Sequence, residues 1–279
     1  MSYKSMLVHL DASESAYPRL ELALRLAKQF DAHLSALFTL YRPESGSFYA
    51  MAGAAEYLAE NEKLRVEREE ALRHTFQAEL ARTRLKGEWR ATANDANQAV
   101  PEAARLADLI VAGQSDPGDP ESFVATQFVE NLVLSAGRPV LLVPCAGQFP
   151  SVGSRALLAW DASREATRAV HDAMPLLAQA KHVTILTVNA LADEPPASRI
   201  PGTDIAAVVA RHGVNVATEE VAGVRDLPIG DALLSHASDL GVDLIVMGCY
   251  GHSRWRELVL GGATRSILKT MTVPVLMSH

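Results

Sequence analysis

The second half of the chain alternates short apolar runs of strand length with segments whose apolar residues recur at helical spacing. Residues 156–160 read as a buried strand, followed by a helix that Ser163 caps and that turns Ala166, Ala169, Val170, Ala173 and Leu177 inward. Residues 183–188 form the next apolar run, and Val214, Val216 and Thr218 then alternate as a third strand. Pro228 opens a helix carrying Leu233, Leu234, Ala237 and Leu240. The run 243–247 has the length and branching of a fourth buried strand, and 273–277 is the fifth. Between them, the segment 263–271 places Ala263, Ile267, Leu268 and Met271 on one helical face. Five short strands separated by helices predict a doubly wound α/β fold, a parallel sheet with helices on both faces and right-handed crossovers.

The first half carries the same text. Met6-Leu-Val-His-Leu-Asp11-Ala-Ser13 corresponds to Ala156-Leu-Leu-Ala-Trp-Asp161-Ala-Ser163, each an apolar strand ending in Asp-Ala-Ser before a helical pattern. Ala107-Asp-Leu-Ile-Val-Ala-Gly113 matches Val242-Asp-Leu-Ile-Val-Met-Gly248, and Arg138-Pro-Val-Leu-Leu-Val143 matches Val273-Pro-Val-Leu-Met277. The period is that of a whole domain, far longer than the roughly 20 to 50 residues of solenoid repeats. Two similar five-stranded domains, 1–147 and 154–279, are therefore expected. The junction around 146–153, Ala-Gly-Gln-Phe-Pro-Ser-Val-Gly, has a linker's composition. The copies differ at residues 53–84, which read as one long charged helix with Leu58, Leu72, Phe76 and Leu80 at near-integral turns, a solvated outer helix with an apolar stripe on the sheet. The loop 41–52 ahead of it is a candidate flap.

With 279 residues, 48% of them hydrophobic, the chain is long enough for two ordinary domains. No stretch approaches the roughly 18 to 20 apolar residues of a membrane span, so a soluble protein with no membrane partner is expected. The start enters a strand-like run without an apolar signal region, which makes the cytoplasm the default location. A net charge of −7 without clustered Lys and Arg argues against a nucleic-acid surface. Cys145 and Cys249 each sit at or just past an apolar strand, where a small buried hydrophobe is the usual role. The nine histidines show no metal-ligand spacing.

Chemistry concentrates after the fourth strand of the second half. Gly248-Cys-Tyr-Gly251 is followed, after nine residues, by Gly261-Gly262, between a predicted strand and a predicted helix. Unpaired amides and the positive end of a helix dipole meet at such a place, and the lack of side chains lets an anion approach the backbone, so the stretch reads as a phosphate cradle. A plain structural turn is the competing reading. Ligands of doubly wound sheets bind at the carboxyl ends of strands beside the switch point, where Asp161 and Gly248 would both emerge.

By these residues the chain resembles the universal stress protein family, in a tandem form joining two such domains. The likeness covers nearly all of both halves. Its most specific element is the family's ATP motif, glycine, two residues, glycine, nine residues, glycine and then Ser or Thr, which this chain matches except at the last place, where Gly262 stands. The resemblance implies ATP, with or without Mg, surrounded by Asp161, Val188, Met247, Gly248, Tyr250, Gly251, His252, Gly261, Gly262, Ala263 and Thr264. Gly262 removes a hydroxyl but keeps its backbone N–H, which predicts weakened rather than lost binding. Trp160 either stacks on adenine, blocks the pocket or packs under the sheet. Asp161 is either a ligand or a turn and helix-cap residue.

The first half fails the motif. Asp116 stands where Gly251 lies and Thr126-Gln127 where Gly261-Gly262 lie, and Asp119 and Glu121 add charge that would repel a triphosphate. Asp11 persists without its cradle, so the N-terminal domain is expected not to bind ATP by this route and to serve the other as a structural or regulatory partner. The leading expectation is an ATP-binding stress-response regulator acting on an unknown protein partner, with little or no hydrolysis, since only Asp161, His252 and Arg254 are candidates to act at a γ-phosphate. The alternative is a non-nucleotide interaction module pairing through 140–143 and 273–277. The resemblance implies that in a tandem chain those strands can join the halves as an intramolecular pseudo-dimer, with further homodimerisation open.

Overall fold

The structure, a computed structural model, describes residues 2–40, 54–116, 118, 127–189, 200–222, 228–249 and 262–279. By packing, the chain divides into two compact units, Tyr3–Ala136 and Gly137–His279.

In the unit Tyr3–Ala136 the order is β1 (Ser5–Leu10), α1 (Ala16–Phe30), β2 (His33–Leu40), α2 (Ala54–Thr83), β3 (Gly87–Asp95), α3 (Ala96–Ala104), β4 (Leu109–Gly113) and α4 (Phe128–Ser135). Its strands lie side by side as β3-β2-β1-β4. Every pairing is parallel, with Met6 opposite both Leu34 and Leu109. Both faces of β1 and β4 are covered, which is why these strands are near-continuous apolar runs rather than alternating ones. Helix α1 buries Ala16, Arg19, Leu20, Ala23, Ala27 and Phe30 along one stripe. An arginine in that stripe is the exception to its apolar pattern. The predicted outer helix is α2, which buries Leu72 and Phe76 and leaves Leu64 and Val66 exposed. Side chains at the start of α2, Leu58 among them, and the candidate flap 41–52 lie outside the described residues.

The unit Gly137–His279 contains β5 (Val140–Val143), β6 (Arg155–Ala159), α5 (Arg164–Leu177), β7 (His182–Asn189), α6 (Gly202–Ala210), β8 (Val216–Ala222), α7 (Ile229–Asp239), β9 (Leu244–Gly248), α8 (Gly262–Thr270) and β10 (Val275–Ser278). Its strand order is β5-β10-β9-β6-β7-β8. The doubly wound α/β reading holds, and the sheet is mostly parallel. The exception is β5, which the repeat assigns to the first domain and which pairs antiparallel with β10, Leu141 opposite Leu276. Each is a short apolar strand, and pairing them covers an edge that would otherwise expose unpaired amides. All five residues expected inward on α5 are buried: Ala166, Ala169, Val170, Ala173 and Leu177. On α8 the buried stripe is turned from the expected one, with Thr264 and Ile267 buried, Ala263 and Leu268 only partly so, and Met271 buried just past the helix end. Helix α8 begins at Gly262, one residue before the predicted start.

Candidate functional site at the carboxyl end of the second sheet

In the unit Gly137–His279 the strand order reverses between β6 and β9, so the residues following these two neighbours flank the switch point. After β6 the chain passes through Trp160 and Asp161 and turns at Ala162, whose φ is 62°. The Ser163 N–H donates to Asp161 Oδ1 at 2.9 Å, and Ser163 Oγ accepts from the Ala166 N–H at 3.0 Å. Asp161 therefore shapes the turn and Ser163 caps α5, as their residue types predict. The Asp161 side chain is exposed.

Gly248 ends β9, and a Cβ there would lie 2.3 Å from the Ala166 nitrogen and 2.5 Å from the Glu165 carbonyl carbon. The first turn of α5 presses backbone to backbone on this residue, and only glycine fits. That requirement stands whether or not a ligand binds, and spacing alone could not separate it from a phosphate cradle. Gly262, at the start of α8, is the opposite case, since a Cβ there would meet nothing described within 4 Å. The hydroxyl of Ser266 donates to Asp231 Oδ1, and Gly230 lets α7 approach α8 so closely that a Cβ there would lie 2.7 Å from the Ala263 carbonyl oxygen.

The remaining predicted positions are spread along this edge. Met247 is buried within β9 opposite Met277, and Val188 is half-buried on β7 opposite Val221. Ala263 and Thr264 lie in the first turn of α8, Thr264 buried. Tyr250, Gly251, His252 and Gly261 lie outside the described residues, as does Arg254. Trp160 packs: it is 4% exposed, and its indole N–H donates to the Ile200 carbonyl at 2.9 Å. Sequence reasoning did not single out Thr187, whose buried Oγ1 has no hydrogen-bond partner among the described residues and faces the start of α6, 3.1 Å from where a Cβ on Gly202 would be. Cys249 is a packing residue, as expected. Its backbone N–H donates to the Ser278 carbonyl at 3.1 Å and its thiol to the same oxygen at 3.3 Å. Burial, with Glu165 adding to it, pushes that thiol far above the ordinary cysteine range, so it is no thiolate nucleophile. Among the described residues no group of His, Cys, Asp or Glu is arranged to hold a metal ion, and no helix is long and apolar enough to cross a membrane.

The corresponding edge of the unit Tyr3–Ala136 is built differently. Asp11, after β1, is buried against Arg19, which is itself 1% exposed. Arg19 Nη1 donates to Asp11 Oδ2 and to the His9 carbonyl, both at 3.0 Å. Nη2 donates to Asp11 Oδ1, Ser13 Oγ and Ser15 Oγ, each at 3.3 Å. Burial alone would raise the Asp11 pKa, but the Arg19 and His9 charges and the hydrogen bonds from Arg19 and Ser13 outweigh it and hold the carboxyl well below the usual range. Burial pushes His9 down to about 3, Arg19 adding to the effect and Asp11 opposing it. His9 Nε2 lies 2.9 Å from Thr39 Oγ1, and its ring packs on Phe128 at 4.7 Å between centroids. In the loop, the Gly118 N–H donates to Asp116 Oδ1 at 2.8 Å, while Asp119, Glu121 and Thr126 lie outside the described residues.

Comparison with known proteins agrees with this architecture. The family model described as Universal stress protein family matches twice, at residues 2–144 and 154–279. The chain belongs to the universal stress protein family, as a tandem of two of its domains. A universal stress protein of Synechocystis is 28% identical over 174 residues, which cover 61% of this chain and 57% of that relative's length. Among solved structures, a universal stress protein from Archaeoglobus fulgidus superposes with a TM-score of 0.70 at 19% identity, covering 98% of this chain and 97% of that one. A protein of unknown function from Pseudomonas aeruginosa follows at 0.58 and 15% identity, covering 99% and 92%. At these identities the structural likeness speaks for the fold.

Proposed function

We propose that this protein is a stress-response regulator that holds ATP, with or without Mg, in its C-terminal domain, residues 154–279, and hydrolyses it slowly or not at all. One observation carries the reading: Asp161 stands exposed at the switch point, while its counterpart Asp11 is buried against a cation of its own chain. An exposed carboxylate there is an acceptor for the hydroxyls of a ribose. On the same edge, the N-terminal amides and dipole of α8 suit a polyphosphate, and no described residue crowds Gly262 where it would approach the main chain. Thr187 Oγ1 is a further polar atom without a hydrogen-bond partner among the described residues. The domain 1–147 serves the other as a structural or regulatory partner, and the protein acts in the cytoplasm.

Calorimetry with Mg-ATP on the wild type and on Gly251→Asp, which copies Asp116 of the first half, tests this reading. Binding by the wild type and its loss in the variant are expected, and equal binding by both removes the loop from the site. ATP or ADP released on denaturing the purified protein would support the same reading.

The second reading, a non-nucleotide module acting by association, is favoured by one observation, the antiparallel pairing of β5 with β10. Wild-type protein that ignores ATP in calorimetry while remaining folded would favour it.

A further inference from the structure

In the first half of the chain, the place where a ligand would meet the sheet is already taken by a side chain. The Asp-Ala-Ser repeat sets Arg19 opposite Ala169, since each lies eight residues beyond its aspartate. The alanine leaves its corner to backbone packing, whereas the arginine brings a planar, permanently charged fork into a buried compartment. Among the described residues, the five hydrogen bonds of its two terminal nitrogens go to the Asp11 carboxylate, the His9 carbonyl and the hydroxyls of Ser13 and Ser15. The opposite wall is Gly113, where a Cβ would lie 2.8 Å from the guanidinium carbon. Gly113 and Gly248 therefore look alike in sequence but answer to different neighbours, a guanidinium in one half and the backbone of a helix in the other.

Local structure has yielded to this arrangement. The repeat predicts that the first helix begins just after Ser13, as α5 begins after Ser163. Instead α1 begins at Ala16, and Ser15, in the cap position, makes no side-chain cap. The two serine hydroxyls that would serve the helix lie 2.9 Å apart and turn to Asp11 and Arg19.

We propose that Arg19 acts as an internal ligand that closes this corner, and that the compartment left by removing its side chain is a binding site for a free cation of the guanidinium class. The anion, the hydroxyl acceptors and the flat glycine wall all belong to the rest of the unit, and they recognise planar N–H donors by geometry as well as charge. A compact ammonium ion, with three donors in a tetrahedral array, does not match that set.

The test is thermal melting of the full chain as wild type and as Arg19→Ala, each with methylguanidinium, methylammonium or sodium chloride at equal millimolar concentration. Arg19→Ala is expected to melt lower than wild type, and methylguanidinium to recover a substantial part of the loss while the other two salts do not. Wild type should respond to none of them. If Arg19→Ala does not fold alone, its folding in methylguanidinium supports the proposal, and failure to fold there overturns it. A melting temperature unchanged by the substitution overturns it as well, as does equal recovery in all three salts. Adding Asp11→Asn to Arg19→Ala removes the anion and should abolish the response to methylguanidinium; a response that survives counts against the site. None of these readings involves nucleotide, so the outcome is separate from that of the ATP titration.

Discussion

The two halves of this chain present the same Asp-Ala-Ser turn at the end of the same strand, and the turn does different work in each. In the second half the aspartate is exposed, accepts from the Ser163 N–H, and leaves Ser163 to cap its helix. In the first half the aspartate is buried, paired with Arg19, and its serines bind the pair instead of the helix. The motif thus keeps the serine N–H to aspartate bond in both copies, while the backbone differs, with Ala162 but not Ala12 at positive φ, and Arg19 seals in the first half what the second leaves exposed. Duplication supplied two corners, and a single arginine in an otherwise apolar stripe is enough to set them apart.

The largest expected difference comes from removing the charge in each corner. Asp11→Asn leaves the Arg19 guanidinium buried without its counterion, which costs about 3–5 kcal/mol by the precedent of broken buried ion pairs. Asp161→Asn keeps the turn acceptor at an exposed position and should change stability by no more than about 0.5 kcal/mol. Parallel urea melts of the two variants check this, and comparable losses would mean that the corners are alike after all. The glycines come next. Gly248→Ala drives a methyl into the backbone of α5, which cannot move aside as a side chain can, and should cost about 1–3 kcal/mol or more. Gly262→Ala meets no described neighbour and should be neutral or slightly stabilising, by up to about 1 kcal/mol, in the same melts.

Proton linkage sharpens the comparison further, because a strongly depressed histidine accompanies the buried pair in the first half. His9 has an ordinary value of 6.5 when unfolded and about 3 when folded, so between those limits the unfolded chain binds a proton that the folded one refuses. Stability should therefore fall as pH drops below 6.5, by at most about 1.4 kcal/mol per pH unit for this one group. Asp11, also depressed, contributes stability that is complete above its ordinary 3.8 and is lost only as pH falls below that value. The window between 6.5 and 3.8 thus separates the two groups. In His9→Gln the slope across it should flatten, as measured by urea midpoints at stepped pH, while an unchanged slope would assign the linkage elsewhere.

Much of this was legible in the sequence because period and punctuation carry it. The apolar runs gave β6, β7, β9 and β10, the spacing on α5 gave its buried face, and the repeated Asp-Ala-Ser gave both turns. Arg19 was not legible, since a charged residue within a helical pattern reads as solvated. The usable signal was its phase, on the same stripe as Ala16, Leu20 and Ala23 and opposite an alanine in the other copy. The reason for Gly248 was equally hidden, because a backbone contact between α5 and β9 leaves the same letter as a phosphate loop would. The partner of β5 came from the resemblance, which pointed to 273–277, and not from the strand itself, since an apolar run of four residues does not state which edge it will join.

The smallest effect bears on the open corner alone. Gly262 stands where the family's ATP motif has Ser or Thr, and Gly262→Ser supplies that hydroxyl at a position where even a Cβ has no described atom within 4 Å. If the first turn of α8 receives a phosphate, one neutral hydrogen bond worth about 0.5–1.5 kcal/mol should tighten Mg-ATP binding roughly two- to tenfold in calorimetry. Without nucleotide, Gly262→Ser should shift stability no more than Gly262→Ala does, because both act through the unfolded chain and neither fills a described void. Stability that rises without any gain in affinity would place the residue in the helix cap rather than in the ligand's reach. The Asp161 corner would then have to hold nucleotide without help from α8.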